Sequence, residues 1–176
     1  MKRVLFLGCA GSGKSTYSKI LGEKLNIPVT HLDTLYWKPG WIEEDKEVFI
    51  KKQQEIIDQD SWILDGNYRD SLDLRLDRCD TIIYIDVPRI VSIIGIYQRY
   101  FTYKNRTRDS ITAGCEEKID KSFFNWVWHF KKRSRPFLME KINNTKEKNI
   151  LIFKTRKALR KYIDNLEINA SKSDTE

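Results

Sequence analysis

The chain has little that would tie a fold together through sulfur or metal. Its three cysteines, Cys9, Cys79 and Cys115, form no C-x-x-C pair, and its two histidines lie far apart. An odd cysteine count at these spacings argues against a disulfide framework and against a structural zinc site. No apolar run approaches the roughly 18 residues of a membrane span. Met1-Lys2-Arg3 followed by Val4–Leu7 has the outline of a signal peptide. Its apolar core falls short of the roughly 7–15 residues such a segment needs, so a cytoplasmic protein is expected. Helix-turn-helix, zinc-finger and RNA-recognition signatures are missing, as are internal repeats and any linker between two cores.

What is present is a chain of 176 residues, 40% hydrophobic and 12% aromatic, long enough to bury a real core. One domain over residues 1–168 is expected, with a polar, disordered tail at 169–176. The net charge of +7 is unevenly spread: Gln98–Lys161 carries 18 Lys/Arg and six Asp/Glu, a net of +12, and the remainder is net acidic. Such a stretch either faces an anion, polyphosphate or nucleic acid, or is a solvated surface.

Gly8-Cys9-Ala10-Gly11-Ser12-Gly13-Lys14-Ser15 fits G-x-x-x-x-G-K-[ST], the phosphate-binding P-loop, and Thr16 follows it. It stands between an apolar run, Arg3–Leu7, and a helical pattern, Lys14–Leu25, the context the motif demands. Glycines let backbone N–H groups turn around a triphosphate, and the helix aims its positive end at the same anion. Lys14 is expected to reach the β- and γ-phosphates of ATP, and Ser15 to hold Mg²⁺. Cys9, at a variable position of the loop, reads as a small residue that fits.

Further strands are expected at Val29–Leu32, Trp62–Leu64, Thr81–Ile85 and Asn149–Phe153. Helices are expected at Glu43–Asp58, Arg89–Tyr103, Glu116–Lys132 (ended by Pro136 before Phe137–Ile142) and Lys157–Leu166. Thr34–Trp41 reads as an aromatic loop turning at Pro39-Gly40, and Lys104–Ala113 as a polar loop. Strands alternating with helices give an α/β fold with a parallel sheet covered on both faces. Strands two, three and four end in Asp33, Asp65 and Asp86, on the rim where open parallel sheets bind ligands. Asp86, closing the apolar run Ile82–Ile85, has the place of a Walker-B-like acid. Ser15, Asp65 and Asp86 are the candidate metal ligands.

The layout resembles the nucleoside monophosphate kinase family and its shikimate-, gluconate- and uridine-kinase-like relatives. Leu64-Asp65-Gly66-Asn67-Tyr68-Arg69 resembles the Asp-Gly-Phe/Tyr-Pro-Arg segment of adenylate kinases, with Asn67-Tyr68 in place of the Phe-Pro pair. That resemblance implies a P-loop NTPase sheet of order 2-3-1-4-5, Asp65 in the Mg²⁺ water shell and Arg69 on an anionic group of the acceptor. More closely, the chain resembles the FlaR-related DNA topology modulation protein family. The segments that carry this likeness are His31–Trp37, Pro39-Gly40-Trp41, Asp65-Gly66-Asn67-Tyr68, Gly114-Cys115-Glu116 and Phe124–Trp128.

By the kinase resemblance, Asp33 stands where hydroxyl-directed P-loop kinases carry a carboxylate that takes or orients the proton of an attacking hydroxyl, or else it holds a water of the Mg²⁺ shell. Residues 34–60 then form an acceptor-binding flap in which Tyr36, Trp37 and Trp41 either stack on a ring or pack the flap to the body. Residues 104–135 form an arginine-rich lid, with Arg99, Arg106 and Arg108 expected to act on the transferring phosphoryl group and Arg133 and Arg135 also available. The expected function is a phosphotransferase moving the γ-phosphoryl group of ATP to a small-molecule or nucleotide acceptor, with a homodimer open. The alternatives are an ATP-binding protein that uses the basic stretch on DNA and a nucleotide-binding regulator without turnover.

Overall fold

The computed structural model describes residues 1–104, 106–145 and 147–166. Its first half runs β1 (Arg3–Gly8), α1 (Lys14–Leu25), β2 (Val29–His31), α2 (Leu32–Tyr36), β3 (Trp37–Lys38), β4 (Ile42–Glu43), α3 (Lys46–Ile57) and β5 (Trp62–Asp65). A 3₁₀ turn (Arg69–Ser71), α4 (Leu72–Arg78), β6 (Thr81–Ile85) and α5 (Arg89–Tyr103) follow. The chain then forms α6 (Lys121–Arg133), α7 (Arg135–Asn144), β7 (Asn149–Phe153) and α8 (Arg156–Asp164).

β1 is apolar without alternation because both of its faces are covered. Val4 and Phe6 pack with Leu21, Ile63, Ile83, Leu159 and Ile163, under α1 and α8. Leu5 and Leu7 pack with Phe49, Leu64, Leu72, Val127 and Leu138, under α3, α4, α6 and α7. This three-layer α/β arrangement surrounds a five-stranded parallel sheet of order β2-β5-β1-β6-β7. With the separate β3–β4 hairpin set aside, that is the 2-3-1-4-5 order the resemblance implied. It leaves β1 flanked by β5 and β6, so the P-loop rises between their carboxyl ends.

Several stretches differ from expectation. The second strand stops at His31, and Asp33 lies in the first turn of α2, not at a strand end. The Thr34 hydroxyl donates to the His31 carbonyl at 2.7 Å, a local bond that favours the turn over extension. The aromatic loop holds α2 and the hairpin, whose β3 and β4 have two residues each, too short for any period to show. α4 has seven residues, Leu-Asp-Leu-Arg-Leu-Asp-Arg, whose alternation has the period of a strand and not of a helix. α6 starts at Lys121, later than expected, because Asp120 caps it by accepting from the Phe123 N–H at 2.8 Å. Pro136 falls in the first turn of α7, where a missing N–H costs nothing. The tail at 169–176 lies outside the described residues.

The start of β1 is fastened to the start of β6 by one carboxylate. Asp80 Oδ2 accepts from the Lys2 and Arg3 N–H groups at 2.8 Å each, and Oδ1 accepts from the Thr81 hydroxyl at 2.7 Å. Burial opposes ionisation of Asp80, but these donors outweigh it and hold its pKa below the ordinary value of 3.8. A depressed folded pKa stabilises above the unfolded value and is lost as pH falls through the folded one. Asp80→Asn is therefore expected to cost about 1–2 kcal/mol at pH 7, with the gap to wild type closing as pH falls below about 3.9. Urea melts at pH 7, 4 and 2.5 check this; a gap that does not vary with pH would refute it.

Candidate active site

An open cleft of about 1240 Å³ runs along the carboxyl ends of the central strands. Gly11, Gly13, Lys14, Ser15 and Thr16 form one wall. Gly11 has φ +71°, and a Cβ there would sit 2.2 Å from the Ser92 carbonyl oxygen, so the loop's close seat on α5 requires glycine. Arg156, at the start of α8, donates to the carbonyls of Ser12 (3.1 Å), Gly11 and Val91 and clasps the loop from behind. Lys14 Nζ donates to the Cys9 carbonyl at 3.2 Å, across the loop. Burial pushes the Cys9 thiol up to about 11, against the charge of Lys14, so it stays protonated and acts as a small packing residue. Gly8 and Ser12 are buried beneath the loop and do not line the cleft.

The end of β5 supplies the next wall. Asn67 holds Gly8 from both sides: its Oδ1 accepts from the Gly8 N–H at 3.1 Å and its Nδ2 donates to the Gly8 carbonyl at 2.8 Å. Tyr68 has φ +24°, an uncommon backbone state for a bulky residue. Arg75, fully buried, holds the turn in place. Its guanidinium donates to the carbonyls of Gly66 (2.7 Å), Asn67 (2.8 Å), Tyr68 (2.7 Å) and Ser71 (3.3 Å). Burial pulls Arg75 down to about 9, which still leaves it charged at neutral pH. Arg69 lines the cleft, its guanidinium 3.9 Å from the centre of the Phe137 ring.

Asp65 is buried beside the P-loop. Its Oδ2 pairs with His31 Nδ1 at 2.9 Å, while Oδ1 has no hydrogen-bond partner among the described residues. Burial raises its pKa, but the His31 hydrogen bond, the charges of Lys14 and His31 and the nearby Ser15 hydroxyl outweigh that and leave it lowered. An ionised, half-satisfied carboxylate next to Ser15 fits a cation held through water. Among the described residues no group of three or more His, Cys, Asp or Glu side chains could hold a metal by itself.

Across the cleft, Asp33 accepts from the Tyr68 hydroxyl at 2.7 Å and from Arg108 Nη2 at 3.3 Å. Arg108 also approaches Glu117 Oε1 at 2.8 Å, an ionic contact off hydrogen-bond alignment, and Arg99 Nε donates to Glu117 Oε2 at 3.0 Å. Burial, then the neighbouring Arg108 charge, lower the pKa of Arg99, with Glu117 and Asp33 opposing. Segments 34–41 and 112–116 are joined along a seam. Gly40 N–H donates to the Gly114 carbonyl (3.0 Å), Trp41 Nε1 to Glu116 (3.0 Å), Cys115 Sγ to Lys38 (3.2 Å) and Thr112 Oγ1 to Thr34 (3.2 Å).

Of the residues singled out from sequence, Lys14, Ser15, Thr16, Asp33, Trp37, Asp65, Gly66, Arg69, Arg99 and Arg108 line this one cleft. Tyr36 does not; it packs edge-on against Trp37 and Phe49 and beside Tyr68, and serves to hold the flap. Arg106 is exposed and outside the cleft. Asp86 is also outside it, contrary to its reading as a metal ligand. Arg135 binds both its carboxylate oxygens (3.0–3.2 Å) and Lys131 lies 3.4 Å away, so α6 and α7 neutralise it in place. Asn67, Arg75, Glu117 and Arg156 went unrecognised. The signal for Asn67 was the departure from Phe-Pro at that point; for Glu117, an acid within a strongly basic stretch.

No family model matches the chain. Over 116 residues it is 33% identical to the adenylate kinase of Bartonella tribocorum, a stretch that is 64% of this chain and 59% of that one. The chain therefore spans under two thirds of that relative's length. It is similar in structure to shikimate kinase from Acinetobacter baumannii in complex with shikimate (TM-score 0.56, 15% identity, 93% of this chain and 89% of that one). Shikimate kinase from Bacteroides thetaiotaomicron gives a TM-score of 0.54 at 18% identity over 93% and 94% of the two chains. These likenesses establish the fold as that of the P-loop kinases.

The Asn67 clamp can be tested directly. Asn67→Ala removes two hydrogen bonds and leaves the buried Gly8 groups unpaired, so stability should drop by about 1–3 kcal/mol. ATP affinity should fall by about tenfold, the result of a loosened supporting contact. Thermal melts and calorimetric ATP titration read the two effects; unchanged ATP affinity would show that Asn67 does not set the loop.

Proposed function

We propose that this protein is an ATP-dependent phosphotransferase acting on a small-molecule or nucleotide acceptor. The observation that carries the reading is that one cleft holds two kinds of group. The P-loop with Lys14 and Ser15 suits a triphosphate. Asp33, Arg69 and the aromatic side chains Trp37 and Trp41 suit a second, anionic molecule facing it. A similarity to adenylate kinase over part of the chain supports the same reading.

In this reading Lys14 pairs with β- and γ-phosphate oxygens. Ser15 and Asp65 are the residues that would hold Mg²⁺, which would supply charge neutralisation at the phosphates when bound. Arg69 grips the anionic group of the acceptor, with its guanidinium plane stacked on Phe137. Asp33, tied to Tyr68 and with its side chain 40% exposed to the cleft, accepts the proton of the acceptor's hydroxyl. The acceptor oxygen forms the new bond to the γ-phosphorus, the bond from that phosphorus to the bridging oxygen breaks, and ADP leaves with the electron pair. Arg99 and Arg108 face the charge that develops during transfer.

The nucleic-acid reading draws less support from the geometry. Four arginines of the basic stretch are already paired inside the molecule: Arg99 and Arg108 with Glu117, Arg135 with Asp86, and Arg156 with backbone carbonyls.

A panel of nucleosides, nucleotides and hydroxy acids assayed for ADP release tests the reading. ADP should appear with one acceptor class, and Lys14→Ala should abolish it. Asp33→Asn should lower kcat about 10²–10⁴-fold, with ATP affinity held within about twofold because Asp33 does not touch the P-loop. No ADP with any acceptor, together with DNA binding that weakens steeply with salt, would replace this reading with the nucleic-acid one.

A further inference from the structure

Glu117 is the buried one of the lid's acids, with Asp109, Glu116 and Asp120 exposed, and has no part in the chemistry above. Its side chain is 1% exposed, and that of Arg108 8%. A carboxylate is buried at such a place only when paired, and here its two oxygens divide between two arginines from different parts of the chain. Arg99 comes from α5, and Arg108 from the irregular segment that follows it. Arg108 then reaches onward to Asp33 at 3.3 Å. The result is a row, Arg99–Glu117–Arg108–Asp33, of two cations and two anions with no net charge. Arg99 also lies over Phe123, 5.8 Å from the ring centre, so its other side is fixed by packing.

We infer that Glu117 is a positioning residue that orients Arg99 and Arg108 toward the transferring phosphoryl group and keeps Arg108 from neutralising Asp33 outright. This rests on the phosphotransferase reading. The physical reasoning has two parts. Arg99 and Arg108 are close enough to repel, and only a charge between them holds both at the cleft wall. Arg108 has two carboxylate partners, and its hold on Asp33 is the longer and more exposed one. An acceptor hydroxyl that approaches Asp33 can therefore displace Arg108 while Glu117 retains it. Without Glu117, Arg108 has Asp33 as its remaining carboxylate and competes with the acceptor for it.

The charge argument gives an effect that loss of structure would not. Glu117→Gln removes a negative charge from a wall that faces phosphate, so inorganic tripolyphosphate should bind about 3- to 10-fold tighter. At the same time kcat should fall about 10- to 100-fold, the usual size for a lost supporting partner. A mutation that merely loosened the fold would weaken both. In a double-mutant cycle, Glu117→Gln should cost less in kcat on the Arg108→Met background than on wild type, because part of its effect runs through Arg108 and the rest through Arg99. Glu117→Asp keeps the charge but is too short to bridge both guanidinium groups. It should bind tripolyphosphate as wild type does and still lose at least about fivefold in kcat, and it serves should the glutamine variant fail to fold. Additive effects in the cycle, or wild-type kcat in Glu117→Asp, would overturn the inference. If wild type transfers phosphate to no acceptor, the phosphotransferase reading fails instead. The tripolyphosphate titration then still decides whether Glu117 sets the charge of the arginine pair, and unchanged affinity in Glu117→Gln would refute that.

Discussion

The side-chain amide of Asn67 donates to and accepts from the backbone of Gly8, joining the end of β5 to the end of β1 where the P-loop begins. Neighbouring strands bring the two residues close, and the amide replaces the ladder bonds that stop at the sheet's edge. Everything on the β5 side of the cleft inherits its place from this contact. Asp65 lies two residues before Asn67, and Tyr68 and Arg69 follow it. Arg75 completes the arrangement by taking up the carbonyls of Gly66, Asn67 and Tyr68. The left-handed backbone at Tyr68 is sustained because those carbonyls have nowhere else to turn.

That segment makes one unit of two halves that the chain keeps apart. The phosphate loop is built from the first turn of α1, and the acid and basic groups opposite come from α2, α5 and the stretch before α6. Tyr68 links them by donating to Asp33, and Asp33 by accepting from Arg108. Charge is balanced locally at two of these points: Arg108 with Asp33 and Arg99 with Glu117. Other cleft cations meet no acid among the described residues: Lys14 and Arg156 are bound to carbonyls, and Arg69 and Lys118 lie over aromatic rings. Those are the cations left with unbalanced charge for a ligand to meet.

The central architecture was legible because its signals are local. An apolar run of four residues with no alternation told of a strand covered twice, and a glycine-rich loop between strand and helix told of a phosphate site. The sheet order came through resemblance. Asp33 was found although its strand ends two residues earlier, since the acid is needed near the rim and a single turn of helix does not move it far. Asp86 was misread for the opposite reason. It does end a strand, but the cations that claim it sit on α6 and α7, about 45–50 residues on, where no sequence period points back to it. Glu117 and Arg75 were illegible for the same cause: each is defined by partners gathered from distant or irregular segments.

All four hydrogen bonds of the seam between residues 34–41 and 112–116 end on a backbone carbonyl oxygen, and one of them involves no side chain at all. Carbonyls belong to every amino acid. The side chains of Lys38 and Glu116, which offer the seam only their carbonyls, can therefore change without parting the two segments. Most of what joins the two segments is therefore separate from what gives the cleft its chemical character; Trp41, which both donates across the seam and lines the cleft, is the exception. A lineage, or an engineer, can rewrite Lys38 or Glu116 while the join stays as it is.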